Sequence, residues 1–207
     1  YISFGIAPTN DVHAENLSED FRSFDIYCFG KLYTHVHLNV YGRHNVYNAL
    51  AAAAASYVMS VDGESVALGL ASFTGAGRRM EFKGRYHGAD IYDDYAHHPG
   101  ELHALIDAVK TMGYKRIILA FQPHTYTRTK ALFDDFVREL KRVDVAVLAE
   151  IYAAREQNTI GISSRDLARQ VPNAVYFETL PEVSAHLRSI ASEGDIILTV
   201  GAGDIYK

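Results

Sequence analysis

The sequence of 207 residues has little cysteine and no surplus of positive charge. Its only cysteine, Cys28, excludes an internal disulfide and is typical of a reducing compartment, and we interpret it as a small buried apolar residue. There are 20 basic and 25 acidic residues, and the resulting formal charge of −5 excludes the positive field that gathers nucleic acid or anionic lipid. We therefore expect neither nucleic acid nor a membrane as a partner.

Long apolar runs and a leader sequence are also absent. The stretch YNALAAAAASYVM is too short to span a bilayer, and the chain does not open with a basic region followed by an apolar one, so we expect a cytoplasmic protein. The phosphate loop GxxxxGK[ST] does not occur either. Because the chain lacks an initiator methionine and opens inside an apparent strand, we expect a piece of a longer protein.

What is present predicts a globular chain with a real core, since 48% of the residues are hydrophobic and only five are proline. Residues 24–40 alternate apolar and polar side chains around Gly30, which predicts a hairpin. An alanine-rich helix from about His44 and a second helix in DGESVALGLASF follow. The glycines of FTGAGRR interrupt this pattern, so we predict two domains, 1–74 and 75–207.

Apolar, β-branched runs alternate with helical segments in the second part. They predict a doubly wound α/β domain with a mostly parallel sheet of about five strands. The runs lie in GADIYDD, RIILAFQ, VDVAVLAE, NAVYFE and DIILTVGAG. Two apolar stripes predict helices, the first in a segment whose first turn suits Pro99. The stripes are Leu102, Leu105, Ile106 and Val109, and Leu132, Phe133, Phe136, Val137 and Leu140.

Polar clusters follow four of these predicted strands. They are DDYAHHPGE, QPHTYTRT, EIYAAREQN and GAGD. Ligands of open parallel sheets bind beyond the carboxyl ends of the strands. We therefore predict a binding site at this edge.

The first cluster offers carboxylates and histidines. Asp93 and Asp94 are suited to accept hydrogen bonds from ribose hydroxyls or to bind a metal, and equally suited to cap the next helix or face solvent. His97 and His98 are adjacent and point in different directions, with no nearby cysteine to complete a zinc site. We do not expect these histidines to bind a metal.

The second cluster combines a cation with a titratable ring. Arg128 is suited to paired charge-assisted bonds with a carboxylate or phosphate, although an arginine on a helix surface is the alternative. His124 either orients a substrate and moves a proton or is an ordinary loop histidine. Tyr95, Tyr126 and Tyr152 by themselves indicate amphipathic packing.

The motif GRHNVYN places two asparagines on one helix face. Asn45 and Asn48 are three residues apart, and an asparagine amide matches the donor and acceptor edge of adenine. Helix capping by Asn45 is the alternative.

These motifs, in this order, resemble the Mur ligases over essentially the whole chain. Two motifs are most similar to those of the member that attaches L-alanine to UDP-N-acetylmuramic acid, namely DDYAHHP and FQPHTYTRT. Four further motifs also match the family pattern: GRHNVYNAL, FTGAGRRMEF, EIYAAREQ and GAGDI. The resemblance implies an ATP-dependent, amide-forming ligase of peptidoglycan precursor synthesis. In such ligases ATP phosphorylates the sugar carboxylate, and the amine of L-alanine then attacks the acyl phosphate.

The resemblance also implies a domain plan. Residues 1–74 would be the last part of an α/β central ATPase domain, and 75–207 a Rossmann-like C-terminal domain. The UDP-sugar domain, the phosphate loop and the main Mg²⁺ ligands would lie upstream. We therefore expect no metal ligands in these residues and no ATP turnover by residues 1–207 alone.

Site residues follow from the same resemblance. His44, Asn45 and Asn48 would lie near the adenine, Arg79 would reach the nucleotide phosphates, and Asp94 would hold the nucleotide.

The amino acid would meet Tyr95, His124 and Arg128, with Arg128 as the carboxylate clamp and His124 as a catalytic residue. Thr125 stands at a position where other versions of the QPHTYTR motif have a second arginine, so we assign Thr125 no role. Two alternatives remain: a ligase that recycles murein tripeptide, whose second motif lacks QPHTYTRT, and a non-catalytic nucleotide-binding module.

Overall fold

The computed structural model describes all residues, Tyr1–Lys207, which form two compact units. The first comprises Tyr1–Gly75 and Asp107–Met112, and the second comprises Ala76–Ile106 and Gly113–Lys207. No helix in either unit combines the length and the apolar character that crossing a lipid bilayer requires.

The first unit contains a four-stranded sheet in the order β1-β2-β3-β4. Its strands are β1 (Phe4–Gly5), β2 (Val12–Glu15), β3 (Ser23–Cys28) and β4 (Lys31–His37). β1 and β2 are parallel and the other pairs are antiparallel, so the predicted hairpin is confirmed as β3 and β4. Phe29 and Gly30 form its turn with φ values of 48° and 75°, the two positive angles that a tight hairpin turn needs.

The two predicted helices are present and cover one face of this sheet. They are α1 (Arg43–Val58) and α2 (Gly63–Ser72). The side chain of Asp62 caps α2 by accepting a hydrogen bond from the Ser65 backbone N–H at 2.8 Å. Apolar side chains of α1 pack against β3 in one buried cluster, which includes Phe24, Ile26, Val46, Leu50 and Ala53.

The second unit is built on a six-stranded sheet in the order β5-β6-β10-β7-β8-β9. Its strands are β5 (Glu81–Tyr86), β6 (Ala89–Asp94), β7 (Arg116–Phe121), β8 (Val145–Ala149), β9 (Ala174–Phe177) and β10 (Asp195–Val200). Its helices are α3 (Pro99–Lys110), of which the residues from Asp107 on belong to the first unit, α4 (Tyr126–Ala131), α5 (Phe133–Leu140), α6 (Ser164–Gln170) and α7 (Leu180–Ile190).

Five of these strands run parallel, so the predicted fold class is confirmed. The sixth strand, β5, is an antiparallel edge strand that the sequence did not reveal. Its sequence, EFKGRY, has no buried residue, and its register shifts between Phe82 and Gly84. An exposed strand with a bulge shows no apolar alternation from which it could be predicted.

Helices cover both faces of the parallel sheet. Ile118 and Ala120 of β7 share a buried cluster with Val183 of α7. The ring of Phe121, the next residue along β7, lies 5.4 Å from the ring of Phe136 in α5. Because successive strand residues point to opposite faces, α5 and α7 lie on opposite sides of the sheet.

The helix stripes were predicted with one error. α3 begins at Pro99, and all four residues of its stripe are buried. The second predicted stripe includes Leu132 in its helix, but Leu132 lies between α4 and α5 with φ −113°. The Leu132 N–H still donates to the carbonyl of Arg128, and the Phe136 N–H to that of Leu132. The spacing of hydrogen bonds from residue i to residue i−4 therefore continues through Leu132. The spacing of apolar residues for this reason does not reveal the break between the two helices.

The buried centre of the second unit can be tested by shortening Ile118, which is fully buried. We expect Ile118→Ala to lower the free energy of unfolding by about 2–5 kcal/mol in urea denaturation, because it leaves a cavity. The control is Ile160→Ala, since Ile160 is 45% exposed, and its effect should stay within about 0.5 kcal/mol. Equal losses from the two variants would contradict this account of the core.

Candidate functional site

The carboxyl ends of the parallel strands bring the predicted polar clusters to one edge. Backbone hydrogen bonds join the segments that follow neighbouring strands at this edge. The Gly201 N–H donates to the carbonyl of Asp94 at 3.0 Å, and the Gln122 N–H donates to the carbonyl of Val200 at 2.9 Å. The loops after β6, β10 and β7 therefore begin side by side.

The loops after β7 and β8 pair with each other. The Thr125 N–H donates to the carbonyl of Tyr152 at 2.9 Å, and the Tyr152 N–H donates to that of Pro123 at 2.8 Å. The rings of His124 and Tyr152 are consequently 5.5 Å apart. Thr125 has φ 68°, a conformation that strains a β-branched residue and persists only where its surroundings hold it.

His124 and Arg128 lie together at this edge. Nδ1 of His124 is 3.5 Å from Nη1 of Arg128, and Arg128 forms no ion pair. Burial lowers the pKa of His124, and the positive charge of Arg128 lowers it further. The imidazole is therefore neutral near pH 7, beside a cation that no carboxylate neutralises.

Two further rings extend this group. The ring of His97 is 6.0 Å from that of His124, and the ring of Tyr95 is 5.4 Å from that of His97. The structure thus brings Tyr95, His124 and Arg128 into one row, with His97 as a link that the sequence did not suggest.

Asp94 lies at the end of β6 and is buried. Its Oδ2 accepts a bond from the Met80 N–H at 2.9 Å, and its Oδ1 accepts one from the Ala96 N–H at 2.8 Å. Burial raises the pKa of Asp94, while these two backbone bonds act in the opposite direction.

Asp93 is also buried and is held by a cation. Its Oδ2 is 2.9 Å from Nε of Arg78, and its Oδ1 accepts a bond from the Thr199 hydroxyl at 2.9 Å. Neither Asp93 nor Asp94 faces solvent, so that alternative is wrong.

Arg78 and Arg79 are adjacent but differ in their surroundings. Arg78 also donates to the carbonyl of Gly201 at 2.6 Å, and its guanidinium lies 4.9 Å from the ring centre of Tyr95. Arg79 is half exposed, 5.8 Å from the same ring and 3.8 Å from a carboxylate oxygen of Glu101. Sequence reasoning singled out Arg79 and missed the structural role of Arg78.

The first unit holds a cavity of about 440 Å³ between its helices. Asn45, Asn48 and Phe73 line it together with mainly apolar side chains. The Asn45 amide donates to the carbonyl of Tyr41 at 2.8 Å, and the Asn48 amide donates to Oδ1 of Asn45 at 3.0 Å.

The N-terminus of α1 shows which residue caps this helix. Gly42 is its cap residue, so the capping role considered for Asn45 is wrong. His44 lies exposed in the first turn of α1 and is not among the residues that line the cavity.

Glycines make room for the loop after β10. A Cβ atom on Gly203 would lie 2.5 Å from Oε1 of Gln122 and 2.7 Å from Cγ of Tyr152. The same Gln122 oxygen accepts a bond from the Asp204 N–H at 2.9 Å. The GAGD motif is therefore explained by close packing against the neighbouring loops.

No group of three or more His, Cys, Asp or Glu side chains is placed to hold a metal ion.

Comparison with known proteins follows the division of the chain. The family model described as the glutamate ligase domain of Mur ligases matches residues 78–203, and the Mur ligase middle domain matches residues 1–56. Curated relatives named UDP-N-acetylmuramate--L-alanine ligase occur in Caldanaerobacter subterraneus, 40% identical, and Agathobacter rectalis, 44% identical. Each alignment covers 100% of this chain and 46% of the relative, so the chain spans about half the length of these relatives.

Solved structures show the same fold. The UDP-N-acetylmuramate-alanine ligase of Thermotoga maritima is 28% identical with a TM-score of 0.82, covering 99% of this chain and 45% of that one. A murein peptide ligase from Psychrobacter arcticus is 23% identical with a TM-score of 0.67, covering 97% of this chain and 43% of that one, and shows the fold alone.

The state of the His124 ring can be measured by NMR titration of this chain. We expect its pKa below the usual value of about 6.5, and a higher pKa in Arg128→Gln, because that variant removes a neighbouring positive charge. Arg85→Gln is the control, since Arg85 pairs with Asp90 near the start of β6, and it should leave the titration unchanged. An unaltered pKa in Arg128→Gln would contradict the electrostatic coupling.

Proposed function

The chain belongs to the Mur ligase family, and we propose that the protein of which it is part is an ATP-dependent ligase of peptidoglycan precursor synthesis. It joins L-alanine to the carboxylate of UDP-N-acetylmuramic acid. The observation that carries the proposal is the contact between an unpaired cation, Arg128, and a neutral base, His124, at the sheet edge. The names of the curated relatives support the same substrates.

An α-amino acid fits this pair of side chains. Its carboxylate and its amine are attached to one carbon, so they need a cation and a proton acceptor held close together. Arg128 offers paired N–H donors to a carboxylate, and its terminal nitrogen is 3.5 Å from the His124 ring nitrogen. Tyr95 lies in the same row of rings and closes one side of the proposed site.

The reaction places specific demands on these groups. The terminal phosphoryl group of ATP is transferred to the sugar carboxylate, giving an acyl phosphate and ADP. The amine nitrogen of L-alanine then attacks the acyl carbon, the C–O bond to phosphate breaks, and the nitrogen loses a proton. A neutral His124 accepts that proton as a general base, while Arg128 keeps the amine in position to attack.

The base of the nucleotide is assigned to the first unit. The cavity lined by Asn45, Asn48 and Phe73 has apolar walls and amide groups, which suit a planar base with a polar edge. His44 lies one residue before Asn45, at the start of the same helix.

In the second unit, two residues are candidates for binding a nucleotide. Arg79, half exposed, supplies positive charge for the phosphates. Asp94 holds the nucleotide through its remaining lone pairs. In this proposal residues 1–74 are the end of the central ATPase domain and 75–207 are the C-terminal domain.

The activity itself is tested with the full-length protein, ATP, magnesium and UDP-N-acetylmuramic acid. We expect ADP release that depends on L-alanine and is absent without an amino acid. Release that instead requires the murein tripeptide would replace this function by the recycling ligase. Nucleotide binding without any release would leave a non-catalytic binding module.

The clamp is tested by Arg128→Ala in the full-length enzyme. Loss of a charge-assisted bond of about 1.5–3 kcal/mol should raise the KM for L-alanine by roughly 10- to 100-fold, with little change in the KM for ATP. Arg169→Ala removes an arginine that pairs with Asp166 on α6 and should change neither constant. Equal effects of Arg128→Ala on both substrates would overturn the clamp assignment.

A further inference from the structure

The helix that carries Arg128 is too short to hold its own position. α4 has six residues and is separated from α5 by Leu132. A helix of this length is not stable in isolation. Its cap residue, Thr125, gives no side-chain bond to the first turn, so the N–H groups there need another partner.

Glu156, from the loop after β8, supplies that partner. Its Oε2 accepts a bond from the Thr127 backbone N–H at 2.9 Å, and its Oε1 accepts one from the Thr127 hydroxyl. The bond from the Thr127 hydroxyl lowers the pKa of Glu156 most, and the bond from the Thr127 backbone N–H lowers it further. The carboxylate is therefore ionised at neutral pH, as suits the N-terminal turn of a helix.

The loop brings Glu156 to this place by a tight turn. The Glu156 N–H donates to the carbonyl of Ala153 at 2.9 Å, and Ala154 has φ 53°. Tyr152, just before the turn, makes the two backbone bonds to the loop after β7. One segment thus holds both the approach to α4 and its first turn.

Arg128 follows Thr127 directly, so the position of its side chain depends on this bond pair. We infer that Glu156 is a positioning residue that fixes Arg128 beside His124 for the carboxylate of the amino acid, an inference that rests on the proposed function. Glu156 does not touch the substrate in this account. It acts through Thr127 and the orientation of α4.

The test is Glu156→Gln in the full-length enzyme, because glutamine keeps the size and loses one acceptor oxygen and the charge. We expect the KM for L-alanine to rise about tenfold, since a small displacement of a positioning group is costly, while kcat and the KM for ATP change less than about twofold. Thr127→Val, which removes the hydroxyl donor, should raise the same KM and add little to Glu156→Gln.

A matched control exists in α7. Glu182 accepts bonds from the backbone N–H and the hydroxyl of Thr179, at 3.0 and 2.7 Å, which is the same pair of donors. Glu182→Gln therefore makes the same chemical change at another helix and should leave the KM for L-alanine unchanged.

Amide hydrogen exchange provides a second measurement that does not need turnover. We expect faster exchange at Tyr126, Thr127 and Arg128 in Glu156→Gln than in the wild type. An active wild type with an unchanged KM for L-alanine in this variant, or unchanged exchange, overturns the inference alone. A full-length wild type without L-alanine-dependent ADP release overturns the proposed function and the inference with it.

Discussion

Two backbone hydrogen bonds beyond the end of the sheet connect the loops after β7 and β8, and the rest of the candidate amino-acid site depends on them. They run from Thr125 to Tyr152 and from Tyr152 to Pro123. They hold Thr125 at a positive φ, and this angle sets the direction in which α4 leaves the strand. A positive φ costs a threonine of order 1–3 kcal/mol. Without the pairing, Thr125 would relax to a less strained conformation, and the placement of His124 and Arg128 would be lost.

The charges at the sheet edge leave Arg128 without an acidic partner. Asp93 pairs with Arg78, and Asp94 is occupied by two backbone N–H groups. Since a buried charge is tolerated only with partners, these carboxylates are fixed parts of the edge. Arg128 differs because its neighbour, His124, is a neutral ring. In the proposed site, the carboxylate of the amino acid would therefore bind an arginine that is not already paired with an acid.

Sequence reasoning predicted the sheet and the edge because both depend on patterns that repeat. The five parallel strands are apolar runs, and the rule that ligands bind beyond their carboxyl ends located the clusters. Sequence reasoning missed β5, which is exposed. It also missed the break at Leu132, where the helical hydrogen-bond spacing continues. It also missed Glu156, because the link from this carboxylate to Thr127 joins residues 29 positions apart. Such a contact follows from the loop conformation, which single residue types do not specify.

The order of the strands has a consequence for how the protein is made. β10 is the last of the six strands to leave the ribosome, yet it lies between β6 and β7 near the middle of the sheet. Until β10 has emerged, β6 and β7 each have an unpaired edge, and the side chains of β7 are mostly apolar. The sheet therefore closes only once β10 has been made, and its pairings bring together residues distant in sequence, which favours slow folding. A nascent chain that stalls before β10 would present two open strands, a target for chaperones and proteases.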